Sequence, residues 1–363
     1  MRKIAIAISI SFLSVLNAFD STIPVLHLPD FYNESTRQNF LNDFEKAASE
    51  VGFFGLTGTG VDSDFLDRSY EQIMAYFNQD INVKMAWKGN SGQRGYIPGE
   101  SAKGETRMDF KEFFHVGREL SEEEDLARPR YFKNVWPEGA SDEFKPAMIN
   151  LFQALEKCQA SLGDVITAAL QKEPGYINDM IKDGDCLMRA SHYPANPPAS
   201  AIWAGAHTDI DFFTILPRST AKGLQVLNKE GNWIDVVVPD GAFIVNCGDM
   251  LENLTNGYFK SAVHRVMDSG EGKERYSVVF FVHPRDEDRL DPLPSFVEKT
   301  GGIRKYANIN RIELLAERLI DLGIVSPSLV EFFVQSGAIE RLREVGRFSP
   351  KAEQTLLEAG FVF

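Results

Sequence analysis

The chain has 363 residues, enough for one large domain or two small ones, and its 44% hydrophobic and 11% aromatic content can fill a sizeable core. A formal net charge of −14 argues against nucleic acid, whose phosphates need a basic footprint. Three cysteines, Cys158, Cys186 and Cys247, are too few and too scattered for a disulfide framework or a C-x-x-C metal site.

The first residues stand apart. Met1-Arg2-Lys3, an uncharged apolar run from Ile4 to Leu16 and then Asn17-Ala18 resemble a secretory signal peptide (residues 1–18) cut after Ala18. The run is too short for a stable membrane span, and no other segment could cross a membrane. An N-terminal helix packed on the domain is the alternative.

The folded part begins with a short apolar strand at 23–28, followed by a helix from about Glu34 to Val51 and a strand from Gly52 to Thr57. A second helix runs from Asp62 to Phe77, with Leu66, Tyr70, Ile73 and Phe77 at helical spacing. Residues 94–104, rich in Gly, Pro and polar side chains, read as a loop. The acidic run 122–125 behind Ser121 reads as a solvated helix start. Residues 141–180 return to helix, interrupted near Pro174-Gly175.

From Leu187 to Val282 short alternating strands are separated by Gly, Pro and Asn, which suggests a sandwich or jelly roll. After Pro292 the pattern is helical again, with Ile312, Leu315, Ala316, Leu319 and Ile320 on one face. The fold class is therefore α+β: a distorted double-stranded β-helix (jelly-roll) core with flanking helices and a helical C-terminal extension. The expected divisions are 22–140, 141–290 for the jelly roll, and 291–363 for the extension.

The chemistry lies in the β region. In His207-Thr208-Asp209, residues two apart on a strand share a face, so one imidazole and one carboxylate can grip one ion. Asp211 would continue that face, and reads as a neighbour of the ligands at the polar rim. His264, in Val263-His264-Arg265-Val266, supplies a second imidazole. Two His and one carboxylate form the facial triad that suits iron(II) and leaves three positions open. Arg275 and Ser277 are again two apart on one strand face. The guanidinium suits a bidentate carboxylate clamp, and the apolar run from Val278 to Phe281 carries it toward a core, where an anionic ligand would explain it. His192 neighbours Tyr193 but faces the other side of its strand, and His27, His115 and His283 have no partner at ligand spacing; these four read as structural. Asn246 and Asp249 read as hydrogen-bonding groups beside the site.

With these pieces in order, residues 23 to about 283 resemble the isopenicillin N synthase-like family of iron(II)- and 2-oxoglutarate-dependent dioxygenases. The matching stretches include Gly52-Phe53-Phe54, Arg94-Gly95-Tyr96, Asp109-Phe110-Lys111-Glu112, His192-Tyr193-Pro194, His207-Thr208-Asp209, Asn246-Cys247-Gly248-Asp249, His264-Arg265-Val266 and Arg275-Tyr276-Ser277. The resemblance implies Fe(2+) on His207, Asp209 and His264. It implies 2-oxoglutarate as co-substrate, its distal carboxylate on Arg275 and Ser277, with Tyr193 helping to hold it. Dioxygen is the second co-substrate. A small organic substrate would be hydroxylated or desaturated with release of succinate and CO2. The chain departs from the family at Ser191, where many members carry Asn, so one co-substrate contact is in doubt.

Two related readings are an isopenicillin N synthase-like oxidase without 2-oxoglutarate and an ethylene-forming enzyme that fragments it. A zinc hydrolase could use the same ligands but gains nothing from Arg275 and Ser277. Tyr96, Phe213 and Phe281 are candidates to line the substrate pocket. The tail from Arg304 onward would cap the entrance, form a homodimer surface or pack on the back of the domain. The signal-like N-terminus points to export, whereas ferrous iron and 2-oxoglutarate are cytoplasmic metabolites.

Overall fold

The computed structural model of the protein describes residues 22–89, 93–99, 109–127, 131–136, 142–198, 201–323 and 325–362. The signal-like residues 1–18 lie outside them.

The described strands in chain order are β1 (Val25–His27), β2 (Phe53–Thr57), β3 (Gly95–Ile97), β4 (Glu112–Gly117), β5 (Leu187–Tyr193) and β6 (Ala204–His207). They continue with β7 (Phe213–Leu216), β8 (Leu224–Leu227), β9 (Trp233–Asp235), β10 (Phe243–Cys247), β11 (His264–Val266) and β12 (Arg275–Val282). An eight-stranded sheet runs β1-β2-β10-β7-β12-β5-β4-β3, and a four-stranded sheet runs β6-β11-β8-β9. Only β1–β2 is parallel among these pairs. The large sheet takes strands from both sides of residue 140.

Strand alternation decides what faces what. Along β12, Tyr276, Val278, Phe280 and Val282 enter the main core, where Phe280 meets Phe152 of the helix Phe144–Ala169 edge-on at 5.0 Å. Arg275, Ser277, Val279 and Phe281 turn to the opposite face and line the cavity between the sheets. One strand thus closes the core and builds the site wall.

The expected helices form as Arg37–Glu50, Ser63–Phe77, Phe144–Ala169 and Tyr176–Ile181, the last two separated at Gly175. Asp62 caps Ser63–Phe77 by accepting from the Phe65 N–H. The acidic run becomes Glu122–Ala127, closed reciprocally by Ser121 and Glu124.

One expectation needs correction. Residues 94–104 are not all loop, because β3 zips onto the edge of β4. Gly95 permits this with φ of +77° and a position too close to the Trp87 carbonyl for a Cβ. In the helix Arg311–Leu322, Ala316 and Ile320 are buried, but Ile312, Leu315 and Leu319 are only half-buried. Arg311, Glu313, Glu317, Arg318 and Asp321 are buried too. The helix has protein on more than one side, and its charged face is absorbed by contacts such as Arg311–Asp286 at 2.5 Å and Glu313–Arg341 at 2.7 Å.

Candidate active site

Between the two sheets lies a cavity lined from both, by residues that include Phe53, Tyr193, His207, Leu224, His264 and Arg275. His207, Asp209 and His264 meet at its wall, with one donor atom from each within 4.8 Å of the others. His264 and His207 are register partners on β11 and β6, which brings their rings to 4.4 Å between centroids. Asp209 Oδ1 lies 3.7 Å from His207 Nε2 and 3.6 Å from His264 Nε2.

The route by which Asp209 arrives differs from the expectation. Strand β6 ends at His207, so Asp209 belongs to the bend that follows, and simple alternation does not place it. Backbone bonds fix the bend instead: the Asp249 and Met250 N–H groups donate to the Asp209 and Asp211 carbonyls at 2.8 and 2.9 Å.

Neighbouring groups leave one atom of each side chain available to a cation. His207 Nδ1 lies 2.7 Å from the Gly205 carbonyl and His264 Nδ1 3.1 Å from the Ala262 carbonyl. A carbonyl only accepts, so each Nδ1 carries the proton and each Nε2 keeps its lone pair. Asp209 Oδ2 accepts from Thr214 at 2.6 Å and Asn246 at 2.8 Å, leaving Oδ1 toward the histidines. Burial lowers the His207 pKa to about 3, assisted by the adjacent His264, so its imidazole stays neutral. Burial would raise Asp209, but the facing rings and the two hydrogen bonds outweigh it and hold the carboxyl at about 2. Two imidazoles and one carboxylate are a donor set that fits iron(II).

Asp211 is fully buried rather than at the rim. Burial and the nearby Asp209 push its pKa well above the usual carboxylate range. Thr214 Oγ1 lies 2.8 Å from Asp211 Oδ2 and 2.6 Å from Asp209 Oδ2. A hydroxyl donates once, so a protonated Asp211 donates to Thr214 and Thr214 donates to Asp209.

Arg275 is also buried, and burial lowers its pKa. Its Nε donates to the Ala221 carbonyl at 3.2 Å and its NH1 to Ser277 Oγ at 3.1 Å, while the guanidinium lies 4.9 Å from the Tyr193 ring centre. None of these partners is an acid. Tyr193, its β5 register partner, is buried; burial would raise the phenol, but Arg275 and Lys111 hold it below its ordinary pKa.

Family profiles match at two places: the 2OG-Fe(II) oxygenase superfamily over residues 184–284, and the non-haem dioxygenase in morphine synthesis N-terminal region over residues 23–139. A 2-oxoglutarate-dependent dioxygenase of Monascus ruber is 31% identical over 277 residues, 72% of this chain and 83% of that protein. Its extent and identity decide the relationship. The chain belongs to the iron(II)- and 2-oxoglutarate-dependent dioxygenases. Azadirone synthase of Melia azedarach is likewise 31% identical, over 69% of this chain and 79% of that protein. A 2OG-Fe(II) oxygenase family protein from Caulobacter crescentus superposes with a TM-score of 0.73 at 31% identity, over 82% of this chain and 98% of that one. The dioxygenase for auxin oxidation in rice gives a TM-score of 0.67, over 82% and 95%, but at 19% identity it shows the fold alone.

The dioxygenase uses iron(II), 2-oxoglutarate and dioxygen, as its family does. A small molecule is the kind of substrate this family takes. No helix among its described residues is long and apolar enough to cross a membrane.

Of the candidate pocket residues, Phe281 lines the cavity, whereas Tyr96 and Phe213 belong to the main core. Tyr96 turns its hydroxyl to Glu112 at 2.5 Å, because alternation along β3 and β4 points it away from the cavity. His192 stacks on Tyr276 at 4.6 Å between ring centroids and meets Glu112 at 2.7 Å, a buried structural contact.

Motif and periodicity assigned no role to Lys111 or Arg189 in the cavity wall, or to Thr214 behind the ligands. Nor did they single out Arg318, which donates to the Thr208 carbonyl at 3.0 Å and pairs with Asp249. Period-two counting back from Tyr193 through Ser191 reaches Arg189, so that signal was present. Arg318 had none, because its partners are remote in sequence.

Proposed function

We propose that His207 Nε2, Asp209 Oδ1 and His264 Nε2 hold the iron of this dioxygenase, and that Arg275, Ser277 and Tyr193 hold the distal carboxylate of 2-oxoglutarate. When bound, iron(II) with 2-oxoglutarate activates dioxygen for oxidation of a C–H bond, leaving succinate and CO2. The chain's own residues orient and hold. Thr214 and Asn246 keep Asp209 in one rotamer, and the backbone carbonyls fix both imidazole tautomers.

The observation that carries the reading is Arg275. A buried guanidinium with no acid among its hydrogen-bond partners needs a compensating anion, and the cavity is where one can enter. Ser191, in place of the family's Asn, leaves its hydroxyl buried and without a partner, so the co-substrate contact from this position is a short one or absent.

By the same proposal, residues 22–140 are the family's N-terminal region, 141–290 its jelly-roll domain and 291–363 an extension. A homodimer surface would lie on the outer face of that extension, where Leu357 is exposed, and gel filtration of the full chain reads it.

Iron content and succinate formation in air test the assignment. The wild-type protein should hold one iron per chain and release succinate; Asp209→Ala and His264→Ala should fall below about a tenth in both while remaining folded. Full iron occupancy and turnover in Asp209→Ala would refute the ligand set.

A further inference from the structure

We propose that Arg318 is a positioning residue for the metal site, fixing from the C-terminal extension the backbone that presents Asp209. The proposal rests on the assignment of His207, Asp209 and His264 to iron.

Asp209 lies beyond the end of β6, so the strand ladder does not hold its backbone. Its conformation is set by the peptide planes on either side of its Cα, because each plane is rigid and only φ and ψ turn between them. Both planes are tethered through their carbonyls. Arg318 NH1 donates at 3.0 Å to the Thr208 carbonyl, which belongs to the plane before Asp209. The Asp249 N–H donates at 2.8 Å to the Asp209 carbonyl, in the plane after it. With the carboxylate held by Thr214 and Asn246 at 2.6 and 2.8 Å, backbone and side chain of this ligand are both fixed.

The two tethers form one unit. Arg318 is buried and pairs with Asp249. Thr208 lies between them: its hydroxyl accepts from Arg318 NH2 at 3.2 Å and donates to Asp249 Oδ2 at 3.2 Å. Asp249 opens the short helix Asp249–Leu254, whose first N–H groups have no carbonyl inside the helix and serve the bend instead. Gly248 allows this approach, since a Cβ there would overlap Asp211.

Arg318 can act as a tether because its own helix is anchored on a second side. In Arg311–Leu322, residues 311 and 318 are two turns apart and share a face, and Arg311 pairs with Asp286, just after β12, at 2.5 Å. Residues 313, 317 and 321 recur at spacing four on a different face. There Glu313 pairs with Arg341 at 2.7 Å, Glu317 Oε1 accepts from the Ser349 N–H at 3.1 Å, and Asp321 accepts from the Ser349 hydroxyl. One face grips the metal-site side of the molecule and the other grips the helices that follow.

The test uses the full chain and reads iron rather than turnover. Anaerobic competition with a chelator gives the iron(II) affinity, and thermal melts of the apo proteins give the stability of the same variants. Arg318→Gln should weaken iron(II) binding about fivefold, less than the ~10–100-fold typical of groups bonded to a ligand side chain, because it acts through the backbone. Arg318→Lys keeps a charge for Asp249 and so the fold, but cannot reproduce the planar fork that also reaches Thr208. Its iron affinity should lie between those of wild type and Arg318→Gln. Arg341→Gln breaks an ion pair of the same helix on its other face. It should lower the melting temperature while moving iron affinity by less than about twofold, as expected for a distant site. Wild-type iron affinity in folded Arg318→Gln or in Arg318→Lys overturns the proposal, as does an equal loss in Arg341→Gln, since the arginine would then serve stability alone. Wild-type iron affinity in Asp209→Ala would instead sink the ligand assignment.

Discussion

Two buried arginines near the active site are built in opposite ways. Arg318, on the helix Arg311–Leu322, has its acid supplied by the protein: it pairs with Asp249, donates to the Thr208 carbonyl at 3.0 Å and reaches the Thr208 hydroxyl at 3.2 Å. Arg275, on the cavity wall, meets the Ala221 carbonyl, the Ser277 hydroxyl and Tyr193, with no carboxylate among these partners. A cation whose acid the fold supplies is costly to remove, whereas one without an acid is, by the proposal above, held for a ligand. Arg318 still acts on the site, through Thr208 between the two proposed ligands and through Asp249, whose N–H donates to the Asp209 carbonyl. The helix Arg311–Leu322 therefore braces the bend that carries Asp209.

The contrast breaks most visibly under alanine substitution. Arg318→Ala leaves Asp249 without its cation and should cost roughly 1–3 kcal/mol, below the ~3–5 kcal/mol of a fully buried pair because Asp249 is one-fifth exposed. Arg275→Ala removes a buried charge that no acid compensates, so the ligand-free protein should be as stable as wild type or more so. Thermal melts of the two apo variants check this; equal destabilisation would erase the distinction.

A smaller effect is expected behind Asp209. Thr214→Val removes the bond to Asp209 Oδ2 and strands Asp211, and should weaken iron binding by about tenfold, the lower end for groups that orient a metal ligand. Competition with a chelator measures it.

The smallest effect concerns Glu112, a second buried charge whose counter-charges the protein supplies, like Arg318. Burial would raise its pKa, but His192, Lys84 and Tyr96 outweigh this and hold it at about 2. A depressed carboxyl contributes stability above its ordinary pKa of 4.5 and loses it as pH falls toward 2. Glu112→Gln should therefore melt below wild type at pH 7, and the gap should close between about pH 4.5 and 2. A gap constant with pH would show that the carboxylate charge contributes nothing.

Much of this was legible in the sequence, for reasons that differ by element. The Arg275–Ser277 pair follows from strand periodicity alone, and β12 obeys it. His207 and Asp209 do come together, but strand alternation is the wrong reason, since a bend held from residues 249 and 250 does the work. The tail was least legible. Its apolar stripe at Ala316 and Ile320 was visible, yet nothing marked the charges of the same helix as buried, because their acids and bases lie 25 to 69 residues away. Tyr96 illustrates the same limit, since its facing depends on an edge pairing that a Gly-rich stretch conceals.

The most direct test of the account compares 2-oxoglutarate with 2-oxopentanoate, which keeps the keto-acid end and replaces the distal carboxylate by a methyl group. Both are titrated anaerobically into the iron(II) protein, wild type and Arg275→Ala. Wild type should prefer 2-oxoglutarate by at least about tenfold, and Arg275→Ala should bind the two nearly equally with iron retained. If Arg275→Ala weakened both keto acids by the same factor, the buried arginine would be supporting the wall and not holding a carboxylate.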